Sequence, residues 1–222
     1  MLRKKKWLRV VLVMSLDGRI TPAQGGKASI GGKGDRKVLE ESLAWSDGTL
    51  IGARTLEAHQ NTCLIHDKDL IASRHRKGKG SQPTTIVVSS KKEFPQSWSF
   101  FQQPIHRWLL SPNSAEPSHC MPTGFDYQLF MSKSWKETLN QLDQKGLSKL
   151  VILGGSHLVS SLLSEDQIDE LQLTFAPKIL GGSYAWVPLE TQQLPEILSK
   201  SNAWTLQETL TLENNEIMLR YI

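Results

Sequence analysis

Lys149-Leu150-Val151-Ile152-Leu153-Gly154-Gly155-Ser156-His157-Leu158 runs from an apolar strand through two glycines into the start of a helix. Glycine lets a second backbone or a ligand come close, and a helix N-terminus presents unpaired N–H groups to an anion. A tight strand-to-helix turn explains the same residues with no ligand at all. The spacing is not G-x-G-x-x-G, so a standard dinucleotide-binding unit is not indicated. Beyond the glycines, periodicity predicts a helix over 156–163 with Leu158, Val159, Leu162 and Leu163 on one face.

The same alternation extends in both directions. Strands are predicted at 7–14, 49–51, 84–89, 107–110, 127–131, 149–153, 170–175, 204–212 and 217–221. A helix over 35–45 places Val38, Leu39 and Leu43 together, with Asp35 as its N-cap. Another over 134–144 has Trp135, Leu139 and Leu142 in line and Gly146 as its stop. Strand-helix alternation argues for parallel pairing, and the short link Glu213–Glu216 makes the last two strands a hairpin. The expected fold class is α/β: a mostly parallel central sheet with flanking helices and an antiparallel C-terminal hairpin. Residues 60–83 and 111–126 are the least regular and are expected to be mobile loops.

With 222 residues, 39% hydrophobic and 22% charged, the chain suits one soluble globular domain behind a basic tail at 1–6. No apolar run approaches the ~18 residues of a membrane span. The basic N-terminus lacks a cleavage pattern, so neither export nor anchoring is expected and the cytoplasm is the expected location. Net charge is 26 − 22 = +4, four of the positive charges falling in Arg74-His75-Arg76-Lys77-Gly78-Lys79-Gly80. That run is expected to be a solvated loop, and nucleic acid is not an expected partner. Cys63 and Cys120 lie outside any C-x-x-C pattern, so neither a disulfide framework nor a metal site is expected.

Three further segments bring polar groups to strand ends. Leu50-Ile51-Gly52-Ala53-Arg54-Thr55-Leu56-Glu57 offers an arginine and a hydroxyl after a strand, although helix capping by Thr55 explains it equally. Ile86-Val87-Val88-Ser89-Ser90-Lys91-Lys92 ends in hydroxyls and ammonium groups suited to a phosphate monoester. Met14-Ser15-Leu16-Asp17-Gly18-Arg19-Ile20 leaves the first strand by an Asp-Gly turn. Together these ends suit one extended ligand with several phosphates lying along the carboxyl edge of a sheet.

From about Leu8 to Tyr221 the chain resembles the reductase domain of the bacterial riboflavin-biosynthesis deaminase/reductase, which has the dihydrofolate reductase-like fold. The resemblance is carried by the 14–20 segment, Gly34-Asp35-Arg36, Gly52-Ala53-Arg54-Thr55, Val151–Gly155 and Asp169-Glu170-Leu171-Gln172-Leu173-Thr174-Phe175-Ala176-Pro177-Lys178-Ile179-Leu180-Gly181-Gly182. It implies NADPH as cofactor, approached by Thr55, Gly154, Gly155, Ser156, His157 and Leu158, with Ser89, Ser90 and Lys91 near the 2′-phosphate. It implies a small-molecule substrate, a phosphoribosylamino-pyrimidine reduced at the sugar C1, with Asp17 and Asp35 as the carboxylates nearest it. It also implies a homodimer and a cis peptide between Gly154 and Gly155. No H-x-E paired with P-C-x-x-C is present, so the deaminase half is not expected.

The chain departs from the family's usual residues at five positions. Val11 stands where a lysine is common, Leu153 where an acid is usual, and Leu43 where an arginine often takes the substrate's phosphate. His59 replaces an acid and His66 a later arginine. Lys27, Lys33, Arg36 and the 74–80 run are the remaining cations for that phosphate. These losses favour a substrate without one, hence weak turnover of the usual substrate. The alternative is a non-catalytic paralogue that binds NADP(H) or a protein partner.

Overall fold

The computed structural model describes residues 6–27, 29–112, 121–191 and 193–222. Its centre is β1 (Trp7–Ser15), which pairs in parallel with β6 (Lys149–Ile152) on one side and β7 (Glu170–Ala176) on the other. Outward from β6 come β2 (Gly48–Gly52), β3 (Thr84–Val88), β4 (Arg107–Ser111) and β5 (Tyr127–Phe130), all parallel. On the far side of β7, β9 (Ile217–Tyr221) and β8 (Leu206–Thr211) pair antiparallel. The order β5-β4-β3-β2-β6-β1-β7-β9-β8 is the expected mostly parallel sheet with an antiparallel C-terminal hairpin.

Side chains alternate across a strand, so β1 serves two layers. Leu8, Val10, Leu12 and Met14 join one core with Trp135, Leu139 and Leu142 of α4 (Trp135–Gln144) and Leu158, Val159, Leu162 and Leu163 of α5 (Ser156–Ser164). Arg9 faces the opposite layer, towards α1 (Lys33–Trp45). There its Nη1 donates to Ser42 Oγ at 3.1 Å, Ser42 donates to Gln172 Oε1 at 2.8 Å, and Glu170 pairs with Arg9 at 2.9 Å. No described helix is long and apolar enough to cross a membrane.

Four local expectations are corrected. Asp35 is not the N-cap of α1: the helix begins at Lys33, and Glu216 accepts from the amides of Gly32 at 2.7 Å and Asp35 at 3.3 Å. A carboxylate from the far end of the chain thus does the work of a local cap. Within 60–83, where a loop is expected, stands α3 (Lys68–Arg76), capped by Asp67, whose carboxylate accepts from Asp69 N and Leu70 N at 2.8 and 3.1 Å.

The basic run after it is only partly solvated. Arg74 is 2% exposed and donates to the carbonyls of Leu43, Ala44 and Ser46 at 3.1, 3.2 and 2.7 Å. Lys79 adds a bond to Trp45 O at 2.8 Å and an ion pair with Asp47 at 2.7 Å. α1 has no basic residue in its own last turn, and these two cations satisfy its final carbonyls. His75, Arg76 and Lys77 are exposed as expected.

The fourth correction concerns Gly154 and Gly155. No described peptide bond is cis; the chain turns instead by placing both glycines at positive φ, +111° and +94°. Residues 113–120 of the second expected loop, Cys120 among them, lie outside the described residues.

Candidate active site

A cavity of about 1100 Å³ opens at the carboxyl ends of β1 and β6. Val11 of β1 and Leu153 put apolar side chains on its lining, and Leu12 borders it from the strand. One wall is the first turns of α1; the other is α2 (Ala53–His59), which follows β2. Residues 61–66 and Tyr184 close the sides.

The α2 wall is built from backbone. Gly52 N donates to Gly154 O at 3.3 Å, and a Cβ on Gly155 would lie 3.3 Å from Thr55 Oγ1. Gly52 and Gly155 are the N-caps of α2 and α5, and neither helix start has a side-chain cap. The capping role considered for Thr55 is therefore not what its hydroxyl does. The starts of α2 and α5, neither with a side-chain cap, thus meet where Gly52, Gly154 and Gly155 pack backbone against backbone. Arg54, Thr55, Ser156 and His157 line the cavity there, with Arg54 Nη1 3.2 Å from His157 Nε2 and His157 3.7 Å from Glu190.

Of the residues singled out from sequence, Asp35, Thr55, Gly154, Gly155, Ser156 and His157 line this one cavity. Leu158 does not; its side chain is buried in the core under α5. Ser89, Ser90 and Lys91 follow β3, next to β2 in the sheet, outside the lining. Ser89 Oγ accepts from Lys91 N at 2.8 Å, and the Lys91 ammonium pairs with Glu57 of α2. Asp17 is also outside. Its carboxylate accepts from Ser15 Oγ, Leu180 N and Gly181 N, and these bonds hold it down at about 2. That corrects the expectation of Asp17 beside the substrate: it ties the turn after β1 to the 180–181 backbone.

Asp35 has the opposite electrostatics. Burial pushes its carboxyl up to about 6, the neighbouring Glu216 pushes the same way, and a hydrogen bond with Thr174 opposes both. Burial, helped by the charge of Lys27, pulls the His59 imidazole below its usual range and favours the neutral ring. Burial acts to raise the Glu40 carboxyl, but the amides of Asp67 and His66 together with Arg36 bring it below the usual range.

At the departing positions, Val11, Leu153, His59 and His66 line the cavity and Leu43 does not. Leu43 is fully buried among Ala44, Ile65, Leu70 and Ile71. Lys27, Lys33 and Arg36 stand on the lining. These cations weigh against a substrate without phosphate, an expectation drawn from Leu43 and His66 together with Val11 and Leu153. Glu40 and Tyr184 are lining residues that sequence reasoning missed. Glu40 lies one helical turn beyond Arg36, a readable i,i+4 pair, whereas nothing local marks Tyr184.

The sequence pattern of the RibD C-terminal domain matches residues 6–215. The chain belongs to the RibD C-terminal domain family. Two relatives of this RibD-type chain are 2,5-diamino-6-ribosylamino-4(3H)-pyrimidinone 5′-phosphate reductases. That of Archaeoglobus fulgidus is 24% identical over 80% of this chain and 83% of the relative. That of Methanothermobacter thermautotrophicus is 25% identical over 90% and 93%. A pyrimidine reductase-like protein from Corynebacterium diphtheriae shares the fold with a TM-score of 0.79, 20% identity and coverage of 97% and 91%. Dihydrofolate reductase from Enterococcus faecalis, solved with NADP(H), superposes with a TM-score of 0.55 at 19% identity over 97% and 95%. The dihydrofolate reductase-like fold expected from sequence is the one observed.

Proposed function

We propose that this chain is an NADPH-dependent reductase of a ribosylamino-pyrimidine 5′-phosphate, adding hydride at the sugar C1. The carrying observation is the side-chain-free seam of Gly52, Gly154 and Gly155, where the uncapped starts of α2 and α5 meet at the cavity. Such a seam suits a diphosphate, since the uncapped amides there are free to donate to its oxygen atoms. When bound, NADPH supplies the hydride.

The chain's own groups do the rest. Arg54, Thr55, Ser156 and His157 provide donors along the seam, and Ser89, Ser90 and Lys91 favour a 2′-phosphate beyond α2. Val11 and Leu153 give flat rings an apolar surface to stack on. When the sugar ring opens, the C1–O bond breaks, the N–H proton passes to the ring oxygen and a C1=N bond remains. The Asp35 carboxyl, part-protonated near pH 6, holds a proton at its oxygen for that nitrogen as C1 is reduced. The kind of relative matched in the two archaea supports the same substrate class. A second reading, a divergent paralogue that binds the cofactor without turnover, is favoured by the apolar Val11 and Leu153 alone.

Thermal unfolding followed with increasing NADPH tests the reading. A midpoint that climbs with NADPH concentration is expected, because a ligand that binds only the folded state stabilises it by mass action. No shift at millimolar NADPH would contradict it.

A further inference from the structure

Arg36 is bound in an unusual way for a residue on a cavity wall. Its Nε donates to Glu40 Oε1 at 3.2 Å, while among the described residues nothing bonds either Nη. The Arg36 side chain is 60% exposed and the residue lines the cavity, so the two-pronged end is free to meet a ligand there.

Glu40 is 7% exposed, and its other oxygen accepts from His66 N at 2.7 Å and Asp67 N at 2.9 Å. One buried carboxylate therefore locks three things together: α1, the 61–66 wall and the Nε edge of Arg36. Lys33, three residues before Arg36 on the same helix, also lines the cavity and has no partner among the described residues. The first amides of α1 are not the attraction, because Glu216 already takes those of Gly32 and Asp35.

We propose that the Nη fork of Arg36, positioned by Glu40 and reinforced by Lys33, receives the phosphate monoester of the substrate. A planar fork binds two phosphate oxygens at once, which a lone ammonium cannot do. The carboxylates on this wall do not forbid the anion: Glu40 is neutralised by Arg36 and two amides, and Asp35 takes up a proton as pH falls towards 6. Phosphate recognition here needs no cation at position 43, whose leucine is core. Arg36 and Lys33 would set specificity for phosphorylated over unphosphorylated sugars. Glu40 is a positioning residue that acts through Arg36.

The inference rests on the proposed reductase reading only for what else the substrate carries, and the test separates the two. Ribose 5-phosphate and ribose are titrated calorimetrically against wild type, Arg36→Ala, Arg36→Lys and Glu40→Gln, with NADPH affinity measured on each. Wild type should bind the phosphate and not plain ribose. Arg36→Ala should weaken ribose 5-phosphate by about ten-fold or more, Arg36→Lys should recover part of that, and NADPH affinity should stay unchanged. Glu40→Gln should weaken it several-fold, because the fork loses its anchor while its charge remains. Unchanged ribose 5-phosphate affinity in Arg36→Ala would overturn the proposal, as would equal wild-type binding of ribose. Failure of wild type to bind NADPH would instead overturn the reductase reading and leave the phosphate result standing.

Discussion

At the scale of single residues, Asp35 on the cavity lining and Asp17 outside it are shifted in opposite directions. Asp17 is held down at about 2 by the Ser15 hydroxyl and two backbone amides. Its folded value lies below its unfolded one, so it stabilises the fold above about pH 4 and loses that contribution as pH falls towards 2. Asp17→Asn should therefore cost stability at pH 7 and little at pH 2, read by urea denaturation at both. Asp35 is raised to about 6, chiefly by burial, so its ionised form costs stability that grows as pH rises from about 4 to 6. Asp35→Asn should raise stability at pH 7 by on the order of 1 kcal/mol. The wild-type rate should fall as pH rises through about 6, and that inflection should vanish in Asp35→Asn. A pH–rate profile unchanged by the substitution would remove Asp35 as proton donor. Across α2, replacing Ser90 and Lys91 together by Ala should weaken NADPH far more than NADH; equal losses in a paired titration would remove the 2′-phosphate assignment.

At the scale of elements, α1 decides the site because it carries Lys33, Asp35, Arg36 and Glu40, and both of its ends are held by distant chain. Glu216 secures the start, while Arg74 and Lys79 secure the finish. Arg74→Ala would remove a buried donor from the carbonyls of Leu43, Ala44, Ser46 and Gly80, although Lys79 still reaches Ser46 O and the Ser46 hydroxyl still reaches Leu43 O. A loss of about 2–4 kcal/mol by chemical denaturation is expected. An effect within experimental error would show that water replaces the guanidinium freely. The same helix explains what could be read from sequence. Val38 and Leu43 mark its buried face, and the strands on either side have branched apolar runs, so the parallel sheet and its closing hairpin follow from local pattern, whereas the insertion of β6 between β2 and β1 does not. Asp67 before α3 is a recognisable cap, yet Arg74 in the buried position of that helix breaks the apolar periodicity. Glu216 is some 180 residues from the amides it caps, and no local rule reaches that far. The Gly154-Gly155 turn was legible because two successive residues at φ above zero favour glycine, and the pair stands out between a strand and a helix. Tyr184 arrives through an irregular segment without periodicity, and so escaped notice.

At the scale of the whole molecule, the parallel half of the sheet presents its carboxyl edge to the cavity, and the antiparallel hairpin closes the other end. Among the described residues β8 pairs only with β9, and Leu206, Ile217 and Ile222 there are 50%, 43% and 42% exposed. We propose that a second copy covers this end, since open edges and apolar side chains favour closed two-fold pairing. Light scattering at micromolar concentration should return twice the chain mass; a monomer would contradict this. The central claim is that the cavity brings a hydride donor and a ribosylamino-pyrimidine phosphate together for reaction. The most direct measurement uses NADPH deuterated at both C4 positions with the phosphoribosylamino-pyrimidine, followed by mass spectrometry of the product. The account predicts one deuterium at C1 of a ribityl chain, formed with kcat/KM of about 10⁴ M⁻¹s⁻¹ or above. Saturable NADPH binding with no deuterium in any product would contradict it.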